Sequence, residues 1–363
     1  MQRGIRCMLM RGGTSKAAYF LASDLPSSAA ERDLLLLSIM GSPDPRQIDG
    51  IGGAHPLTSK AAIVSPSADA GADVDFLFAQ VGVDEAKVDT TPNCGNILAG
   101  VAPFAIERGL VTAQEAQTRV RVRTLNTGTV AELVVLTPGK RVQYAGQERI
   151  DGVPGRAAPV TVNFLGAEGS VCGSLLPTGN VSDEVAGVRT TLIDNGMPVV
   201  VLAARDVGCT GRESCAVLEA NASLCARIEE IRLEAGCRMG LGDVSKAVIP
   251  KVALVSRPAA GGVISTRSFI PHNCHASIGV FAAVTVATAC ILPGSAAAPY
   301  AEVPPGPVKR MGMEHPGGIF EVRLEVEGPA DAPHVRRAGV VRTARALFDG
   351  MVFAHEELYE VTG

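Results

Sequence analysis

The sequence lacks tryptophan and has few aromatic residues of any kind. Aromatic side chains make up 4% of its 363 residues, so we expect an aliphatic core and no platform of stacked rings for sugars or nucleobases. Neither sign of charge is in large excess, because 33 lysines and arginines stand against 37 aspartates and glutamates. The resulting net charge of −4 gives no electrostatic reason to expect nucleic-acid binding.

The nine cysteines contain no CxxC pair. An odd number of scattered cysteines is atypical of a disulfide framework or a zinc ribbon, so we expect reduced thiols, no metal site and a cytoplasmic location. The first nine residues have no apolar core long enough for a signal peptide, so we expect none. The apolar segment 276–292 is short for a bilayer and contains Ser277, Thr285 and Thr288, so it predicts a buried helix and no membrane partner.

Several sequence motifs of common enzymes are also missing. The segment from Arg11 to Lys16 lacks the spacing of a P-loop, and Gly50-Ile51-Gly52-Gly53 does not fit the dinucleotide-binding pattern. The chain contains neither a G-x-S-x-G nucleophile elbow nor an H-E-x-x-H zinc motif. Nucleotide-dependent chemistry and the commonest hydrolase classes therefore have no support.

An internal repeat is present instead. The matched positions pair Gly12 with Asn195, Lys60 with Lys251, Cys94 with Cys274 and Asp151 with Asp349, always in the same order. The length also favours two domains. We therefore predict two pseudo-equivalent domains, residues 1–168 and 169–363, with the last residues free to cross back to the first domain.

The residue patterns predict a mixed α/β unit used twice. Strands are expected at 120–124, 129–136 and 160–164, and helices at 94–108 and, as its counterpart, at 275–290. An amphipathic helical region at 213–236 has no evident partner in the first half. Strands are expected to outnumber helices.

The motif Asn93-Cys94-Gly95-Asn96 places a cysteine at or near a helix start. Unpaired backbone N–H groups and the helix dipole favour anions there, either a thiolate or a substrate carboxylate. Gly95 allows a ligand to approach the backbone closely. The same residues also suit a buried, inert cysteine, so this motif alone leaves both interpretations open.

Two further groups are candidates for proton transfer. Lys60 leads into a buried run, where desolvation would turn its amine into a useful base, although a surface lysine fits equally well. The second-half sequence His272-Asn273-Cys274-His275 is the expected counterpart of the Cys94 motif, with Cys274 approaching the same substrate from the other side. A plain polar role for the two histidines is the simpler interpretation.

Six segments together resemble the PrpF family of isomerases, over nearly the whole chain. They are Met10–Lys16, Asp49–Gly53, Leu57–Lys60, Asn93–Asn96, Asp194–Pro198 and Phe269–Gly279. The resemblance implies a diaminopimelate-epimerase-like α/β (α+β) fold: two pseudo-symmetric domains, each a curved β-sheet or barrel around a central helix, with the active site between them. It also implies no cofactor and a homodimer.

The resemblance further implies a cofactor-independent isomerase or tautomerase that moves a proton on 4-oxalomesaconate, a small unsaturated tricarboxylate of bacterial gallate and protocatechuate catabolism. Lys60 and Cys94 match the family's proton-transfer residues, and Cys274 ranks third because its surroundings depart from the epimerase pattern. The expected substrate-binding residues are Arg11, Thr14, Ser15, Lys16, Asn93, Gly95, Asn96, Asn195, Met197, Arg267, His272, His275, Ser277, Ile278 and Gly279.

Three alternatives remain open from the sequence. Within the family, the activity is a cis–trans isomerisation of 2-methylaconitate or aconitate-like acids. Outside it, Cys94 and His275 suit a Cys–His hydrolase, and the carboxylate-binding loops suit a non-catalytic tricarboxylate-binding protein, because fold-level resemblance does not by itself fix a function.

Overall fold

The computed structural model describes residues 2–355, which form two compact units. The first unit contains the described residues up to Asn163 and those from Val341 onward, and the second contains Phe164–Val340. The division therefore lies a few residues before the expected boundary at 168/169. The described residues from Val341 onward belong to the first unit, in line with the expectation that the last residues are free to cross back to the first domain.

In the first unit, strands outnumber helices. It contains β1 (Gln2–Gly12), β2 (Ser15–Leu21), α1 (Ala29–Met40), β3 (Lys60–Pro66), β4 (Val74–Val81), β5 (Val88–Asp89), α2 (Gly95–Glu107), β6 (Ala116–Thr124), β7 (Val130–Thr137) and β8 (Pro159–Phe164), whose last residue falls in the second unit. The predicted strands at 120–124 and 160–164 are confirmed within β6 and β8. The predicted strand at 129–136 and the predicted helix at 94–108 are confirmed as β7 and α2, with bounds that differ by one residue at each end.

The second unit has the same mixture of elements. It contains β9 (Asp183–Val185), β10 (Val188–Asp194), β11 (Pro198–Ala203), α3 (Cys215–Ala220), α4 (Ala222–Arg238), β12 (Lys251–Ser256), β13 (Ile264–Ile270), β14 (Asn273–Cys274), α5 (Val280–Ile291), β15 (Val308–His315), β16 (Gly318–Glu327) and the start of β17 (His334–His355). The rest of β17 pairs with β1 in the first unit. The mixed α/β class is confirmed.

The internal repeat is confirmed by strand topology. In the first unit β1 is antiparallel to β2, β2 parallel to β3, β3 antiparallel to β4, β4 parallel to β6, and β6 antiparallel to β7. In the second unit β10, β11, β12, β13, β15 and β16 repeat these directions in the same order. Two copies of one supersecondary plan therefore underlie the two units.

The repeat also extends to the helices, which corrects one prediction. Helix α1 lies between β2 and β3, as α3 and α4 lie between β11 and β12, so the region 213–236 does have a first-half counterpart. Helix α1 escaped notice because its leucines are consecutive and give no clear helical spacing. The 213–236 region is also two helices, since the Asn221 side chain accepts a hydrogen bond from Leu224 N–H and starts α4.

Helix α5 begins later than predicted. The sequence predicts a helix from residue 275, whereas the helix begins at Val280 with Gly279 as its N-cap. His275 Nδ1 accepts a hydrogen bond from Ser277 N–H at 2.9 Å, and such a local side-chain contact competes with helix formation. Helix α5 is a buried helix, as predicted for 276–292, and no helix in residues 2–355 is long and apolar enough to span a membrane.

Candidate active site

Cys94 is the N-cap residue of α2. Its backbone is extended, with φ −132° and ψ 97°, and its carbonyl accepts the first helical hydrogen bond from Leu98 N–H at 2.9 Å. Within residues 2–355 the Cys94 side chain makes no capping hydrogen bond. The Asn93 side chain instead accepts from Cys94 N–H at 2.8 Å and fixes the approach to the helix. The half-buried thiol therefore lies beside first-turn N–H groups of Gly95 and its successors, a position that favours negative charge.

Lys60 is the first residue of β3, and only 7% of it is exposed. Its ammonium donates a hydrogen bond to Gln80 Oε1 and lies 5.1 Å from the centroid of the Phe78 ring. Burial lowers the pKa of Lys60, while the nearby Cys94 sulfur acts in the opposite direction. The two residues are therefore close enough to influence each other electrostatically, and burial moves the amine towards its neutral, basic form.

Gln80 is a site residue that the sequence analysis missed. Its amide nitrogen donates to the carbonyls of Ser59 at 2.9 Å and Pro56 at 3.1 Å, which turns its oxygen towards Lys60. Strand register places the two side chains together, because Lys60 pairs with Gln80 across β3 and β4. Nothing in the local sequence indicates that register, although a lone amide at the end of an apolar strand was a signal to examine.

The turn between β1 and β2 packs against the first turn of α2. Asn96 donates to the Thr14 hydroxyl at 3.1 Å and accepts from Thr14 N–H at 3.4 Å. This contact requires glycine at position 13, where φ is +51° and a Cβ would lie 2.1 Å from Asn96 Oδ1. The predicted residues Thr14 and Asn96 are thus brought together with Cys94 at one helix end.

The other predicted residues in and beside this turn differ in burial and in hydrogen bonding. The Ser15 hydroxyl is buried and has no hydrogen-bond partner among the described residues. Arg11 donates to the carbonyls of Gly13 and Thr343 and to the Thr343 hydroxyl at 2.8–3.0 Å, and so it holds the turn itself. Burial lowers the pKa of Arg11. Lys16, half-buried, extends from β2.

Cys274 does not occupy the position that corresponds to Cys94. It lies in β14, five residues before the Gly279 N-cap of α5, and Asn273 pairs with Ile270 in the way that Asp89 pairs with Gln80. The match of Cys94 with Cys274 was therefore out of register, and Gly279 is the true helix-start counterpart of Cys94. Burial and the neighbouring Cys215 thiol raise the pKa of Cys274 to about 12, which disfavours a thiolate.

The loop before α5 carries the exposed members of the predicted second-half set. His272 and His275 are exposed, and His272 Nδ1 lies 3.6 Å from Glu229 Oε2. Ser277 is half-buried, with its hydroxyl 3.4 Å from His315 Nε2. Together with Gly279 these residues surround the start of α5.

Four predicted binding residues of the second unit make contacts inside that unit. Asn195 donates to the Thr288 hydroxyl at 2.9 Å and so holds α5. Arg267 is buried and donates to the Glu213 carbonyl at 2.7 Å. Ile278 is buried, and the Met197 carbonyl accepts from the Thr285 hydroxyl at 3.1 Å. The family resemblance implied a ligand role for these residues. In the structure the side chains of Asn195, Arg267 and Ile278 lie inside the second unit, and Met197 accepts a hydrogen bond through its backbone.

Comparison with known proteins places this geometry in a family. The family model described as PrpF protein matches residues 2–355. The chain belongs to the PrpF family. A 4-oxalomesaconate tautomerase from Pseudomonas putida is 58% identical to this PrpF protein over 351 residues, which covers 97% of this chain and 96% of the relative.

Other relatives of this PrpF protein are also named isomerases. A (4E)-oxalomesaconate Delta-isomerase from Novosphingobium sp. is 58% identical, with 96% of each chain covered. A 3-methylitaconate isomerase from Eubacterium barkeri is 35% identical, with 98% of each chain covered. The crystal structure of a methylitaconate-delta-isomerase superimposes with a TM-score of 0.87 at 33% identity, covering 98% of this chain and 97% of that one. This chain therefore shares the fold of that isomerase over nearly its whole length.

Proposed function

We propose that this PrpF-family protein is an isomerase that moves a proton on 4-oxalomesaconate. The observation that carries the proposal is the pair formed by Lys60 and Cys94, a buried amine of lowered pKa beside a thiol at the start of α2. The 58% identity to two relatives named for oxalomesaconate supports the choice of substrate. Both relatives are covered over nearly their full length.

In the proposed reaction, neutral Lys60 removes a proton from the substrate methylene. The carbonyl and the conjugated alkene of the substrate delocalise the electron pair as a dienolate. The Cys94 thiol then gives a proton to another carbon or to the enolate oxygen, which yields a 1,3-allylic shift or a keto–enol tautomer. Each proton transfer of this kind is typically worth about 10²–10⁴-fold in rate. The electron count of the substrate does not change, so the step as written requires no redox cofactor.

Polar groups of the first unit are suited to stabilise the dienolate. The first-turn N–H groups of α2 offer partial positive charge, and the Thr14 and Ser15 hydroxyls lie in the turn that packs on that helix end. The proposal also keeps Lys16, Asn93, Asn96, His275, Ser277 and Gly279 as substrate-binding residues. Arg11, Asn195 and Arg267 act in it through the turn, helix and strand that they hold. Cys274 is left outside the proton-transfer pair.

The test is conversion of a substrate panel followed by proton NMR. The panel contains 4-oxalomesaconate, 2-methylaconitate and methylitaconate, with wild type, Lys60→Met and Cys94→Ser, and with Lys246→Met and Cys237→Ser as controls at exposed lysine and cysteine positions. Fast conversion of 4-oxalomesaconate by wild type and both controls, lost in the two site variants, supports the proposal. Conversion of only methylaconitate or methylitaconate would reassign the substrate.

The cellular setting is part of the same proposal. All nine cysteines are free thiols, which supports a reducing compartment and hence the cytoplasm. The proposed substrate would place the protein in bacterial breakdown of aromatic compounds. A homodimer stays a prediction, and light scattering of the purified protein tests it directly.

A further inference from the structure

Lys251 occupies in the second unit the place that Lys60 occupies in the first. Each lysine is the first residue of a strand that runs parallel to its predecessor, β3 beside β2 and β12 beside β11. Each strand then pairs antiparallel with the next. The repeat therefore places a second lysine amine at the equivalent position of the second unit. This second lysine is half-buried.

The two lysines differ in their partners. Lys60 donates to Gln80, the residue paired with it across the strands. Val252 pairs with Phe269, so the same register brings Ile270, an apolar residue, opposite Lys251. Within residues 2–355, Lys251 has neither a hydrogen-bond acceptor nor an acidic side chain in salt-bridge range. Burial alone lowers its pKa. A half-buried ammonium without a partner is costly unless an anion binds beside it.

The amino group of Lys251 lies beside the start of α5. A Cβ built on Gly279, the N-cap of that helix, would stand 3.4 Å from Lys251 Nζ. The Gly279 backbone is extended, with φ −66°, so the conformation does not require glycine. The absence of a side chain at Gly279 leaves space next to the Lys251 amine and leaves the first backbone N–H groups of α5 accessible.

We propose that Lys251 binds a carboxylate of the substrate, with the space over Gly279 left for that group. The inference rests on the proposed function, because the ligand it invokes is a small tricarboxylate. A small tricarboxylate carries several negative charges. A fixed ammonium beside the open start of α5 balances one of them without taking part in proton transfer.

The test uses Lys251→Met and Gly279→Ala, with Lys246→Met as a matched control at an exposed position five residues earlier. The KM and kcat are measured with 4-oxalomesaconate. Binding of tricarballylate, a saturated tricarboxylate, is measured by calorimetry with glutarate as the dicarboxylate control. Circular dichroism and thermal melts without ligand monitor folding.

Loss of one hydrogen bond to a charged group predicts a rise of about 10- to 100-fold in KM and in the tricarballylate Kd for Lys251→Met. We expect kcat to change less than about threefold, since chemistry is carried out elsewhere. Gly279→Ala raises both constants in the same direction, while Lys246→Met leaves them unchanged. Because Lys251→Met removes an unpaired, half-buried cation, we expect the variant to melt no lower than wild type. Loss of a lysine that only stabilises the fold would lower the melting temperature.

Two results would overturn the inference: wild-type tricarballylate affinity in Lys251→Met, or no tricarballylate binding by wild type. Failure of wild type to convert 4-oxalomesaconate is a different result. It would refute the proposed function, while the tricarballylate comparison would still decide whether Lys251 binds a carboxylate.

Discussion

Replacement of Gln80 by glutamate tests whether Lys60 acts as a neutral base. Gln80→Glu changes one amide into a carboxylate of nearly the same shape, directly against the lysine amine. The new negative charge favours the ammonium form and so raises the pKa of Lys60. We expect the variant to be a poor catalyst at neutral pH and to recover activity as the pH rises.

The size of the effect follows from the geometry. Opposite charges about 4 Å apart in an effective dielectric of about 20 attract by about 4 kcal/mol. Gln80 is half-buried, so solvent screening reduces this value, and pairs of this kind typically shift a pKa by about one to three units. The fraction of neutral Lys60 at a fixed pH then falls about 10- to 1,000-fold. The rate at pH 7 should fall by the same factor.

The assay is a pH–rate profile of kcat/KM for wild type and Gln80→Glu. The matched control is Gln117→Glu, at an exposed position on β6. The limb on which the rate rises with pH reports deprotonation of Lys60. It should move to higher pH only in Gln80→Glu. Glutamate also removes the donor to the Ser59 and Pro56 carbonyls, so a melt must accompany each profile. A profile that keeps the wild-type limb in a folded variant would refute Lys60 as the base.

Two further predictions concern stability. Gly13→Ala places a methyl group 2.1 Å from Asn96 Oδ1, so it should cost about 1–3 kcal/mol more than Gly139→Ala, a positive-φ glycine with open space around it; equal denaturation midpoints would contradict this. Arg232 is fully buried and pairs with Glu229 while donating to three backbone carbonyls. Arg232→Met should therefore lower the free energy of unfolding by about 3–5 kcal/mol in urea titrations, and a loss below about 1 kcal/mol would contradict the account.

Local patterns were sufficient for much of the fold. Strands β6 to β8 follow from β-branched runs between turn residues, and α2 follows from its small apolar residues and the glycine after its end. The repeat was visible as sequence landmarks because both units use the same order of strands. These features depend on residues close together in the chain.

The parts that sequence reasoning missed depend on long-range register. Gln80 joins Lys60 only through the pairing of β3 with β4, and Cys274 is separated from the start of α5 by a loop whose local hydrogen bonds delay the helix. The family resemblance implied Arg267 and Asn195 as ligand residues, whereas the structure shows both as buried hydrogen-bonding groups of the second unit. Burial of that kind is decided by tertiary packing.

The most direct test of the central claim is deuterium exchange into 4-oxalomesaconate in D₂O. Proton NMR follows both the substrate methylene and the product position with wild type, Lys60→Met and Cys94→Ser. If Lys60 removes the proton and Cys94 returns one, Lys60→Met abolishes methylene exchange, while Cys94→Ser retains exchange but isomerises slowly. Exchange at the wild-type rate in folded Lys60→Met would contradict the account.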